Sequence, residues 1–211
     1  MRISELARLT GVSVATVKYY IREGILAPGL ASGPQRADYG DDHVARLRLL
    51  RGLIDNAGVS VSGAKRIAAV LDEGAPPARA FEVAQDVVSS RADSDARPSD
   101  GALDRVQSLL GASVCEHPAM ATAARALDAL EAAGGTMTDD WLRAYAEAAR
   151  IVARADLDEL QARTSVSEQT TVAAAGTALG DVVLQSLRRA AQAEETQRRF
   201  EQVEATSEVA R

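Results

Sequence analysis

Apolar residues recur at helical spacing from the first turn of the chain. Ile3, Leu6 and Ala7 fall at i, i+3 and i+4, and Glu5 sits near the positive end of the helix they define. Thr10-Gly11-Val12 ends that segment, because glycine takes the left-handed conformation found past helix ends, and Ser13 is a preferred N-cap for a second helix. The second helix is expected to run to about Glu23, burying Val14, Val17 and Ile21, with Gly24 as its stop. Two short helices joined by a tight glycine-containing turn make a helix-turn-helix unit, whose second helix suits the major groove.

Ile25-Leu26-Ala27 and Ala37-Asp38-Tyr39 flank a turn-rich stretch from Pro28 to Pro34, which predicts a small hairpin or wing. Asp41 caps a third predicted helix through about Asn56, carrying Val44, Leu47, Leu50 and Ile54. Ser60 caps a fourth, with Val61, Ala64, Ile67, Ala68 and Leu71 on its buried stripe. Gly74-Ala75-Pro76-Pro77 marks a boundary, since adjacent prolines cannot continue the preceding helix. A short helix over 78–88 and a polar linker to Gly101 follow, then helices near 102–110, 118–133, 138–163 and 167–205. The expected fold is mainly α: a winged helix-turn-helix domain over 1–74, a short helix and linker over 75–101, and an all-helical domain over 102–211.

Composition supports helices: 46% of residues are apolar but only 3% aromatic, so cores must be built from Ala, Val and Leu. The net charge of −6 looks unfavourable for nucleic acid, yet it divides into +2 for residues 1–74 and −8 for the rest. That asymmetry suggests a nucleic-acid-facing end and a solvated acidic end. No signal-peptide pattern and no eighteen-residue apolar run is present, so a cytoplasmic, nucleoid-associated protein without a membrane partner is expected.

The run from Met1 to Ser13, followed by Thr16-Val17-Lys18-Tyr19-Tyr20, Glu23-Gly24-Ile25-Leu26, Ala37-Asp38-Tyr39 and Arg46-Leu47 through Arg51, closely resembles the MerR family of bacterial transcriptional regulators over residues 1–73. The resemblance implies a homodimer that reads a near-palindromic promoter in double-stranded DNA and bends or untwists it, with RNA polymerase as a partner there. Two departures stand out. Ala15 occupies a position where family members often carry a polar or basic reader, and Ser32-Gly33-Pro34-Gln35-Arg36 lacks the common Gly-Tyr-Arg order of the wing. Relatives also continue the fourth helix into a long antiparallel dimer helix, which Pro76-Pro77 interrupts here.

Thr16, Lys18 and Tyr19 lie off the apolar face of the second helix and can face DNA, Lys18 through phosphate or guanine. Tyr20 admits a ring packed in the core or a hydroxyl reaching a phosphate. Arg22 and Arg36 are candidate backbone contacts from the helix end and the wing, and Ser13 and Tyr39 complete the set.

In the helical half, Val172, Leu179, Val183 and Leu187 form a stripe on the last helix, and Gly176 and Gly180 would let another backbone approach. This stripe suits dimerisation and equally a central core helix. Trp141 and Tyr145, four residues apart, are candidates with Met137 and Phe81 for a pocket holding a small-molecule effector. Cys115-Glu116-His117 and the distant His43 make a poor metal site, and a small apolar Cys near a helix start is the better account of Cys115, so no metal or cofactor is expected. With two histidines, no phosphate loop and no acid/base pair, no catalytic residues are assigned and an enzyme is not expected. The expected function is a sequence-specific DNA-binding transcriptional regulator. Its alternatives are a ligand-sequestering helical module and an excisionase-like or nucleoid architectural protein.

Overall fold

A computed structural model describes residues 1–33, 36–90, 96–110, 114 and 116–209, with side chains for all of these except 33, 36 and 200–209. Nine helices and one antiparallel hairpin are present among them: α1 (Ile3–Thr10), α2 (Val14–Arg22), β1 (Leu30–Gly33), β2 (Arg36–Asp38), α3 (Asp41–Arg51), α4 (Val61–Asp72), α5 (Pro77–Ser89), α6 (Asp100–Gln107), α7 (Pro118–Ala132), α8 (Asp139–Gln161) and α9 (Val166–Val209). The mainly helical fold with an N-terminal wing is as the sequence predicts. None of the described helices is long and apolar enough to cross a membrane.

Local chemistry sets most helix starts. The Ser13, Ser60, Ser99 and Thr138 side chains each accept the N–H three residues on, satisfying a donor that the first turn leaves unpaired. Pro77 begins α5 at a position where its missing N–H costs nothing. The first strand differs from expectation. Ile25 and Leu26 are buried rather than paired, and β1 forms inside the turn-rich stretch, with Leu30 opposite Asp38 and Ala31 opposite Ala37 of β2.

The third helix is also corrected: α3 stops at Arg51, and Gly52–Asn56 form one π-helical turn in which the Ala57 N–H reaches back to the Gly52 carbonyl. The turn begins where α9 comes close: a Cβ on Gly52 would stand 3.3 Å from the Leu179 Cδ1 of α9, a tight contact.

The main core joins α1 to α5 with the first half of α9, through Leu6, Val17, Leu47, Leu53, Ile67, Val83, Ala173 and Ala178 among others. Thr170 ties α9 to the α4–α5 connection by donating to the Ala75 carbonyl at 2.7 Å. A second, smaller core packs α6, α7 and the start of α8 around Val106, Met120, Leu127 and Leu142. In a chain with few aromatics, alanines let α9 lie close against its neighbours.

Candidate nucleic-acid interface

The helix-turn-helix is held from three sides. Gly11 takes φ +67° at the end of α1, and its N–H donates to the Ala7 carbonyl. Arg51, at the end of α3, reaches back to donate to the Thr10 carbonyl at 2.8 Å and pairs with Asp55 at 3.2 Å. The Ser13 hydroxyl accepts the Thr16 N–H at 3.0 Å and lies 2.8 Å from the Thr16 hydroxyl, fixing the first turn of α2.

With Val17 fully buried and Tyr20 only 6% exposed, α2 turns its other side outward. Ser13, Ala15, Lys18 and Arg22 are exposed, and Thr16 and Tyr19 half-buried. Lys18 and Arg22 are one turn apart on one stripe. The Arg22 guanidinium lies 5.3 Å from the Tyr19 ring centre and 3.9 Å from Glu23, which orients it along the helix end. Burial pushes the Tyr20 hydroxyl above its ordinary value of 10.0, reinforced by the nearby Asp55 and Tyr19 and opposed by Arg51.

The wing is anchored at its exit. Tyr39 is 7% exposed, its N–H donates to the Met1 carbonyl at 2.9 Å, and its carbonyl accepts from the Met1 nitrogen at 2.8 Å. Its ring meets His43 edge-on at 5.1 Å and also crowds Gly29, where a Cβ would come within 3.0 Å. His43 Nδ1 accepts the Gly40 N–H at 3.2 Å, closing the start of α3. The Arg36 side chain lies outside the described residues, as do Pro34, Gln35 and Cys115.

Ser13, Thr16, Lys18, Tyr19 and Arg22 are therefore brought together on the outer side of α2, while Tyr20 and Tyr39 set it from within the core. Sequence reasoning missed Arg51 and Arg46, which donates to the Ala68 carbonyl and pairs with Asp72 to hold α3 on α4. Both lie in the run that carries the family resemblance, but a side chain crossing to another helix's backbone leaves no local signal.

The candidates in the helical half separate. Trp141 and Tyr145 stack with ring centres 4.1 Å apart beside an 860 Å³ groove between α8 and α9, where Arg188 Nε donates to the Tyr145 hydroxyl at 2.8 Å. Phe81 lines different cavities, and the Met137 carbonyl accepts from Arg105 at 2.8 Å. On α9, Val172 and Leu179 pack on the main core, Val183 and Leu187 stand 57% and 63% exposed, and side-chain positions at Gly176 and Gly180 meet nothing within 4 Å.

Residues 1–71 match the MerR HTH family regulatory protein model. Over the whole chain, the solved structure of SCO5550, a candidate transcriptional regulator from Streptomyces coelicolor A3(2), is similar at 32% identity and a TM-score of 0.66, covering 95% of this chain and 98% of that one. The chain belongs to the MerR family. Among curated relatives, the HTH-type transcriptional regulator HmrR of Sinorhizobium medicae (strain WSM419) is 33% identical over 70 residues, which span 33% of this chain and 47% of HmrR. The likeness to HmrR thus spans a length close to that of the head alone, whereas the likeness to SCO5550 extends through the helical half. As a MerR-family transcriptional regulator, the protein uses its head for DNA-binding regulation.

Proposed function

We propose that this MerR-family regulator acts as a homodimer on a near-palindromic promoter site, which it distorts, and that a small effector held in the helical half controls it. The observation that carries the proposal is the exposed stripe of α2, with Lys18 and Arg22 aligned along a helix whose inner face is locked by Val17 and Tyr20. Lys18, Tyr19 and Arg22 contact DNA from the helix, with Ser13 and Thr16 at its start and Arg36 from the wing. Tyr20 and Tyr39 act by fixing the angle between helix and wing. Ala15 presents a methyl group on the same stripe, so few base edges are read directly and deformability supplies much of the discrimination.

A two-fold partner supports reading both half-sites, and exposed Val183 and Leu187 offer it an apolar seam on α9. RNA polymerase is the further partner at such a promoter. The test is selection of bound duplexes from a random pool with the full-length chain. Enrichment of two inverted half-sites at fixed spacing is expected. Recovery of single half-sites, or no enrichment over the input pool at moderate salt, would refute the proposal.

A further inference from the structure

We infer that His43 is a positioning residue for DNA recognition: it sets the wing against the reading helix by holding the peptide that joins Tyr39 to Gly40. The inference rests on the wing contact proposed above and assigns no contact between His43 and DNA itself.

The joint lies where three elements meet. β2 ends at Asp38 and α3 begins at Asp41, so Tyr39 and Gly40 alone separate them. The peptide between these two residues is held at both ends. Its carbonyl, on Tyr39, accepts from the Met1 nitrogen at 2.8 Å, and its N–H, on Gly40, donates to His43 Nδ1 at 3.2 Å. The His43 N–H in turn donates to the Gly40 carbonyl at 3.1 Å. Met1 leads into α1 and His43 belongs to the first turn of α3, so one peptide plane ties the wing exit to both helices. Beyond it, the His43 ring meets the Tyr39 ring edge-on at 5.1 Å, and Tyr39 crowds Gly29 at the wing entry. Turning that peptide would swing β2, and with it the paired β1, relative to α1 and α2. Gly40 itself does little to fix the turn. Its φ of −105° and ψ of −175° are extended values open to any residue, and a Cβ there would meet open space.

Helix capping alone does not account for the histidine. Ser13, Ser60, Ser99 and Thr138 cap their helices from the N-cap position through a hydroxyl. At α3 the N-cap is Gly40, and the acceptor reaches back from inside the helix toward the wing. The ring also carries a penalty. Accepting at Nδ1 puts the ring proton on Nε2, which is buried with no hydrogen-bond partner among the described residues. A buried donor without an acceptor is destabilising and calls for a reason. Here the reason is the geometry that the other ring nitrogen imposes on the wing exit.

The test uses the full-length chain and the operator selected from the random pool. His43→Leu fills the space, continues the helix and lacks both nitrogens, whereas His43→Gln returns an acceptor to the Gly40 N–H. Urea unfolding checks that both variants are folded. In fluorescence anisotropy, His43→Leu should bind the operator about tenfold more weakly and lower the slope of log affinity against log salt by about one for each half-site, the mark of a lost wing-to-phosphate contact. His43→Gln should stay within about threefold of the parent chain. Arg36→Ala should show the same loss as His43→Leu, and the two changes together should cost no more than either alone. A role confined to capping predicts a lowered unfolding midpoint with operator affinity and slope unchanged, and that result would overturn the assignment. So would a fully additive loss in the double variant, or a His43→Gln chain no better than His43→Leu. The two readings fail separately. A selection that yields no operator removes the regulator proposal and this inference with it, whereas an operator bound equally by the parent and His43→Leu removes this inference alone.

Discussion

At Lys18 the helix-turn-helix presents an ammonium group to solvent, one turn from Arg22 and clear of the buried Val17 face. Replacing it with alanine should weaken DNA binding across all sequences and lower the slope of log affinity against log salt by about one, as measured by fluorescence anisotropy between low and moderate salt. An unchanged slope would show that Lys18 meets no phosphate. Gly11 tests the scaffold rather than the contact. Its φ of +67° strains any L side chain, and a Cβ there would meet the Arg51 guanidinium at 2.7 Å, displacing the group that holds the Thr10 carbonyl. Gly11→Ala should therefore cost about 1–2 kcal/mol, read as a lowered midpoint in urea unfolding, with DNA affinity falling alongside.

Between elements, the joint between α3 and α9 is where sequence and structure part. Caps at Ser13 and Ser60, the glycine stop at Gly11 and the apolar spacing of α4 act within a few residues, so each was legible in the chain. The π turn was not, and the close approach of Leu179 to Gly52 joins positions 127 apart, which no local pattern reports. The same holds for the separation of Phe81 from Trp141 and Tyr145, which is decided by how four helices stack and not by any local pattern. Gly52→Val should overpack this joint at a cost of about 1–3 kcal/mol in thermal or urea unfolding, whereas Gly40→Val, with open space at its Cβ position, should be far milder. A second joint is sensitive to pH. Asp128 of α7 accepts from both the N–H and the hydroxyl of Ser99, the cap of α6, at 2.8 and 2.6 Å, and these bonds hold its carboxyl below the ordinary 3.8. Because the folded value is the lower one, the stabilisation is present above 3.8 and is lost as pH falls through the folded value. Hydrogen exchange at the Ser99 and Ala102 amides should accelerate relative to the α4 amides below that pH, and Asp128→Ala should show the acceleration already at neutral pH.

Taken as a whole, the molecule distributes its surface unevenly. In the head, Leu9 and Leu30 are its large exposed apolar side chains, whereas α8 and α9 expose Tyr145, Ile151, Leu157, Val166, Val183, Leu184 and Leu187. A solvated acidic half has no use for so much uncovered apolar surface unless another surface covers it. Beyond the main core, α9 continues for several turns, touching α8 through Arg188 and Tyr145. After α4 the chain turns at Pro76-Pro77 into α5, 13 residues long, and α9, with 44, is the longest of the described helices. In the proposed dimer, Val183 and Leu187, 57% and 63% exposed, carry the pairing. Changing both residues to aspartate puts like charges on an apolar seam, and sedimentation equilibrium should then report monomers at concentrations where the parent chain is dimeric. Because two tethered heads gain effective concentration on a palindrome, the variant should lose about 100-fold in affinity for the full site while binding a single half-site as before. A variant that stays dimeric would place the seam elsewhere, and one that loses half-site binding equally would show that the substitutions reached the head through α9.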